Sequence, residues 1–210
     1  MYRALRRRHG SLNSWWPAES GYEVFVGAIL TQQTQWKNVE KAILNLKTAG
    51  IMSSDAIAHA RLRDIQKAVK PSGFYVQKAK RLKSVTQSML EEFGSFESLA
   101  LLEDRELRTK LLSYSGIGNE TADSIMLYAF HRKSFVVDAY TKRILGRLTG
   151  ASPGSYDSVK RYFTAKLKRD VLVYMEFHAQ LVELAKRNCR TEPLCNSCPL
   201  KSMCAYASMA

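Results

Sequence analysis

Two runs of apolar residues at helical spacing meet at Ser115-Gly116-Ile117-Gly118, and no other stretch constrains the architecture of the chain as tightly. Leu107, Leu111 and Leu112 lead into this turn, and Ala122, Ile125, Met126 and Ala129 lead out of it. Each set marks one face of a helix. Glycines on both sides of a single isoleucine permit positive φ and a close backbone approach to a ligand. The helix predicted to open at Asn119 then points unpaired amides over the turn, a position suited to an anion such as a DNA phosphate. The same pattern by itself also describes an ordinary αα-hairpin. Twenty residues on, Val136-Val137-Asp138 sets a lone carboxylate after a short apolar extended run. Asp138 is also placed to N-cap the helix that follows.

The rest of the chain reads as helix and loop. Residues 2–9 form a short basic helix ended by Gly10. Tyr22, Phe25, Val26, Ile29 and Leu30 make an amphipathic stripe, and Val39, Ile43 and Leu46 make another. Between them lies Thr31-Gln32-Gln33-Thr34-Gln35-Trp36, whose amide side chains carry both donors and acceptors. One helical stretch is expected over residues 54–69, ended by Pro71, and two short helices over 96–112. Further helices are expected over Tyr140–Leu148, Tyr156–Arg169 and Val171–Lys186. No alternating strand pattern and no internal repeat is present, so the fold class is all-α. Adjacent Trp15 and Trp16, before Pro17, would diverge by about 100° on a helix, which leaves at least one to line a cleft. Lys78, Lys80, Arg81 and Lys83 read as a solvated helix face, with phosphate contact an added role.

A formal net charge of +13 over 210 residues points to a polyanionic partner. No apolar stretch approaches the roughly 18–20 residues of a membrane span, and no apolar core follows the basic start, so neither a membrane protein nor a secreted one is expected. All four cysteines fall in the last 22 residues: Cys189, Cys195, Cys198 and Cys204. In a reducing compartment such a cluster argues for metal over disulfides. Zinc usually gathers paired C-x2-C knuckles, whereas four thiolates from one short loop suit a [4Fe–4S] cube.

Glycine turn, helix, apolar run and Asp together resemble the helix-hairpin-helix and Gly/Pro-rich loop–Asp signature of the endonuclease III superfamily of DNA glycosylases. The cysteine spacing resembles the C-terminal iron–sulfur loop of that superfamily, with one residue fewer in the first gap. The resemblance spans essentially the whole chain. It implies two helical domains flanking a DNA-binding cleft: residues 22–132 carrying the hairpin, and 1–21 plus 133–210 carrying Asp138 and a [4Fe–4S] loop at 189–204. It implies double-stranded DNA containing a damaged base as partner, a monomer, and a cytoplasmic, nucleoid-associated location. By the same resemblance Gln33 fills the gap left by an everted nucleotide, and Phe74 is the apolar tip that wedges into the duplex. Gly116, Ile117, Gly118 and Lys78 join them as DNA contacts, and Asp138 is the catalytic carboxylate.

The bifunctional members carry a lysine two residues beyond the second glycine, and that lysine attacks the sugar to form a Schiff base. This chain has Glu120 there. A carboxylate cannot form an imine, so a monofunctional enzyme is expected. The surrounding motifs look like the bacterial 3-methyladenine DNA glycosylase III branch, which implies alkylated purines as substrates. Trp15, Trp16, Pro17 and Trp36 are then the pocket candidates, because aromatic faces attract a cationic base, and Glu120 and Gln180 join them as expected substrate contacts. Two departures stand out. The branch can lack the four cysteines, and where it can carry a lysine near the pocket this chain offers Gln180, two residues beyond His178, which reads as a satisfied core histidine before a pocket-lining one. A uracil or mismatched-thymine glycosylase, or a DNA-binding scaffold without chemistry, are the alternatives.

Overall fold

The computed structural model describes residues 1–12 and 15–209. In chain order the helices are α1 (Tyr2–His9), α2 (Gly21–Leu30), α3 (Trp36–Thr48), α4 (Ser54–His59), α5 (Leu62–Val69) and α6 (Tyr75–Phe93). They continue as α7 (Asp104–Ser113), α8 (Asn119–Ser124), α9 (Ala139–Thr149), α10 (Tyr156–Thr164), α11 (Val171–Arg187) and α12 (Ala205–Met209). The all-α expectation holds, with no β-strand among the described residues. The chain divides into two compact units, Ala18–Arg132 and Met1–Pro17 with Lys133–Ala210.

In the Ala18–Arg132 unit, α2 is apolar nearly all round and is accordingly the core helix. Phe25, Val26, Ile29 and Leu30 are wholly buried. Ser20 starts the helix by accepting the Glu23 amide at 3.1 Å, and α3, α6 and α8 pack on it. The Tyr22 and Thr86 hydroxyls meet at 2.8 Å between α2 and α6. A reciprocal capping box between Glu103 and Glu106 opens α7. Arg108 on α7 then donates to Asn119 Oδ1 and to the fully buried Asp123 carboxylate, both at 2.8 Å. That pair of contacts fixes the angle of the α7–α8 hairpin. Beyond α8 the helix widens into a π-turn at Ile125–Ala129, where the Phe130 amide reaches five residues back to the Ile125 carbonyl at 3.2 Å.

Of the two hairpin glycines only one uses its conformational freedom. Gly116 has φ +81, whereas Gly118 is extended at φ −93. A Cβ on Gly116 would come within 1.8 Å of Arg81 Nε. Ile117 between them is buried.

In the other unit, rings of Phe135, Phe163, Tyr174 and Phe177 pack with centroids between 5.3 and 6.0 Å apart. Leu5 of α1 is fully buried. Asp138, Ser155 and Asp170 cap α9, α10 and α11 through the Thr141, Ser158 and Val173 amides.

Two local expectations fail. The 54–69 stretch is two helices, because Ala60 and Arg61 are extended. The carbonyls freed at that break are satisfied by Lys83 Nζ, which donates to Ala58 O at 2.7 Å and Ala60 O at 2.6 Å. The helix opening at Tyr156 stops at Thr164 instead of Arg169. No glycine or proline marks that end; the chain turns there to bring Asp170 to the start of α11. Trp15 and Trp16 lie outside any helix and are both half-buried, their rings edge to face at 6.2 Å.

Gly116→Ala should cost about 1–2 kcal/mol, the price of left-handed backbone for a side chain, and should displace Arg81. Gly118→Ala, with open space around it, should stay within about 0.5 kcal/mol of the parent. Urea denaturation midpoints of the two variants check both.

Candidate functional site

Three loops of the Ala18–Arg132 unit carry the residues singled out in the sequence, and α6 holds all three. Gln33 and Phe74 are exposed non-glycine residues in left-handed backbone, at φ 55 and 46. Such a conformation costs about 1–2 kcal/mol per residue and persists only where surrounding contacts over-determine it. Phe74 is 60% exposed at the tip of its loop. A hollow of about 210 Å³ is lined by Gln32, Gln33, Phe74, Gln77, Lys78 and Arg81.

The restraining contacts come from two cations one helical turn apart. Lys78 Nζ donates to Leu30 O at 2.8 Å and Ser72 O at 2.6 Å, tying the end of α2 to the Phe74 loop. Arg81 donates to Gln32 Oε1. Gln32 Nε2 in turn donates to Gly116 O and Thr121 Oγ1, both at 3.0 Å. Gln32 is therefore a lock between loops, while its neighbour Gln33 faces solvent.

The expectation of a solvated cationic face is corrected here. Lys78 is 3% exposed and its ammonium is spent on backbone carbonyls, so it positions the loops and is not placed as a phosphate contact. Lys83 and Arg81 are likewise turned to protein acceptors; Lys80 is exposed. The Ile117 side chain faces the interior, so any contact it makes with a ligand is through its backbone. Glu120 is exposed in the first turn of α8, where its charge suits the helix terminus. Trp36 begins α3 and its indole donates to Glu40 Oε1 at 2.9 Å.

The other unit gathers Asp138, His178, Trp15, Trp16 and Gln180. Asp138 both caps α9 and faces a histidine. Its Oδ1 accepts the Thr141 amide at 2.7 Å, and its Oδ2 lies 3.7 Å from His178 Nε2. Burial pushes the carboxyl up, but His178 and the Thr141 amide outweigh it and leave the group below the usual carboxylate range. Asp138 is thus ionised at neutral pH in a largely dry setting, where a nearby cation is favoured far more than in water. The Trp15 ring stands edge-on to His178 at 5.5 Å. Pro17 is exposed. Gln180 is turned to the end of α1. It is fully buried, with Oε1 2.8 Å from His9 Nδ1 and Nε2 donating to Gly10 O at 2.7 Å.

The four cysteines are free and half-buried. Burial raises the Cys198 thiol, the Leu200 amide opposes this, and Cys189, Cys204 and Cys195 raise it further, so the four sulfurs sense one another. Arg147 grips both ends of the loop: Nη1 donates to Cys189 Sγ and its carbonyl accepts from Cys204 Sγ, each at 3.4 Å. Among the described residues no three His, Cys, Asp or Glu side chains converge as ligands of one ion would. Four thiols from one short loop are a donor set that can hold an iron–sulfur cluster.

Residues 26–169 match a family described as HhH-GPD superfamily base excision DNA repair protein. A Methanocaldococcus jannaschii protein provisionally named a DNA repair glycosylase is 47% identical over 207 residues, 97% of this chain and 94% of its own. The crystal structure of H. pylori 3-methyladenine DNA glycosylase bound to 1,N6-ethenoadenine superposes with a TM-score of 0.79 at 32% identity, covering 89% of this chain and 95% of that one. A trapped endonuclease III–DNA covalent intermediate gives a TM-score of 0.84 at 17% identity, over 99% and 94% of the two chains. This last likeness is one of fold.

Burial, and then the Arg81 charge, bring the Lys78 ammonium from 10.5 down to about 8. The charge therefore opposes folding below pH 8. That cost is relieved between about pH 8 and 10.5, where the unfolded chain binds the extra proton. Lys78→Met should remove this component. The unfolding free energy of the parent minus that of the variant, from urea titrations, should rise with pH across the window by at most about 1.4 kcal/mol per unit.

Proposed function

We propose that this chain, which belongs to the HhH-GPD superfamily of base excision DNA repair proteins and is a DNA glycosylase, is monofunctional, hydrolysing the N-glycosidic bond of flipped-out, 3-methyladenine-like alkylated purines and leaving an abasic site. The observation that carries this reading is the ionised, largely desolvated Asp138 carboxylate, together with a glutamate at position 120.

A base stacked in a duplex is out of reach, so it must first be everted. Phe74 and Gln33, held out of the protein in costly backbone, are suited to wedge into the duplex and occupy the vacated place. Cleavage then develops positive charge on the sugar. An ionised carboxylate in a dry site stabilises that charge and orients the attacking water. An N3-methylated adenine is already cationic and leaves without a general acid. Recognition can then rest on aromatic faces, for which Trp15, Trp16 and Trp36 are the candidates. With Glu120 exposed where a Schiff-base lysine would stand, no imine forms and the strand stays uncut. The H. pylori relative, a 3-methyladenine glycosylase by name, supports the alkylated-purine class.

Cys189, Cys195, Cys198 and Cys204 would hold a [4Fe–4S] cluster. With every corner closed by a thiolate, such a cluster supplies cohesion to the 189–204 loop and leaves no open position for substrate.

Base release from methylated duplex DNA, read by chromatography beside a strand-cleavage lane without alkali or heat, should give free 3-methyladenine and an intact backbone. Excision only from U·G or T·G duplexes would move the assignment to a pyrimidine glycosylase. Asp138→Asn should keep DNA affinity and lose roughly 10²–10⁴-fold in excision rate. Purified protein should contain iron and acid-labile sulfide in equal amounts, lost in Cys198→Ser; zinc in their place would exclude the cluster.

A further inference from the structure

We propose that His178 is the positioning residue of Asp138, setting the plane of its carboxylate and keeping Oδ2 turned toward the reacting sugar; this rests on the reading of Asp138 as the catalytic carboxylate. The placement is built by α11. Glu176 and Gln180 are four residues apart and so share one helix face, which is tied to α1. The Tyr2 hydroxyl donates to Glu176 Oε2 at 2.5 Å, Arg6 pairs with Glu176 Oε1 at 3.3 Å, and Gln180 holds His9 and Gly10. Two residues from each, His178 emerges on the opposite face, and that face packs on α9. The register of α11 against α1 thereby aims His178 at the first residue before α9, which is Asp138.

The two carboxylate oxygens then have separate duties. Oδ1 is held by the Thr141 amide at full hydrogen-bond length, 2.7 Å. Oδ2 faces His178 Nε2 at 3.7 Å, a looser contact than the one on Oδ1. The imidazole orients this oxygen and leaves it open to a cationic sugar or a water.

The other charged groups on the surrounding elements are engaged elsewhere. On α9, Arg143 donates to Cys189 O, Lys142 is half-exposed and Arg147 grips the cysteine loop. On α11, Glu176 faces α1, Glu183 pairs with Arg187 and Lys186 lies over the Trp15 ring at 5.8 Å. His9 of α1 is bonded to Gln180, and α12 carries no charged residue. Tyr156 of α10 accepts the Val137 amide at 3.3 Å. His178 is thus the side chain that faces Oδ2, in keeping with its part in holding Asp138 below the usual range.

Single-turnover excision by the full-length protein, on the duplex from which the parent releases a base, tests this as a function of pH, with DNA affinity and melting temperature in parallel. His178→Ala should lower the rate up to about 10²-fold at neutral pH, as misplacement of a reacting group does, with unchanged affinity. Its acid limb should move up toward ordinary carboxylate values. His178→Gln, which keeps a neutral donor, should recover most of the rate at neutral pH while the limb stays shifted. It also serves as the working variant where His178→Ala does not fold. A parental rate and acid limb in His178→Gln and His178→Ala would overturn the proposal, as would a rate loss that tracks melting temperature with no shift in the limb. Asp138→Asn separates the two ideas. Full excision by that variant sinks the carboxylate reading itself, whereas its inactivity beside a parental His178→Ala sinks only the positioning role.

Discussion

One buried ammonium carries much of the arrangement of the loops that present Gln33 and Phe74. Lys78 sits where α2 ends and the Phe74 loop closes, and both leave a backbone carbonyl pointing inward. Unsatisfied, each would cost about 1–3 kcal/mol. One cation answers both, so the positions of Gln33 and Phe74 become linked through the same nitrogen. Arg81, a turn further along α6, extends the constraint to the hairpin through Gln32, and its guanidinium fills the space that glycine leaves at position 116. Two exposed residues can therefore be kept in left-handed backbone without a glycine at either site.

The catalytic candidate follows a different logic in the second unit. A carboxylate that caps a helix is already half-satisfied and fixed in direction. Adding a histidine on its other oxygen offsets the penalty of burial and leaves a charge that needs no solvent to persist. The two units thus divide the work, one keeping exposed side chains rigid and the other keeping a buried charge ionised.

Most of the helices were legible because apolar spacing is a local property, and so were the glycine turn and the cap at Asp138. The fate of the polar side chains was not. Lys78, Arg81 and Lys83 recur at the spacing of a wet helix face, yet each turns to carbonyls or amides that only the tertiary fold leaves open. Gln180 was a pocket candidate by resemblance alone, standing where the branch can carry a lysine, but its amide is consumed by the end of α1. His178 carried no signal beyond its identity, since its partner lies forty residues earlier and meets it only when α11 packs on α9. Breaks such as Ala60-Arg61 went unseen for the same reason: a lysine from α6 stabilises them, and no glycine or proline announces them.

The π-turn at Ile125–Ala129 has a bearing on how relatives of this chain can vary in length. It places one extra residue in a helical turn just before Arg132, where the Ala18–Arg132 unit ends. A regular α-turn would be one residue shorter, and the direction in which the chain departs would rotate by about 100°. Insertions and deletions are usually absorbed by surface loops, but here a single codon sets a phase angle. The reading frame of this helix is in that sense a geometric parameter, tuned in whole residues and with no intermediate values.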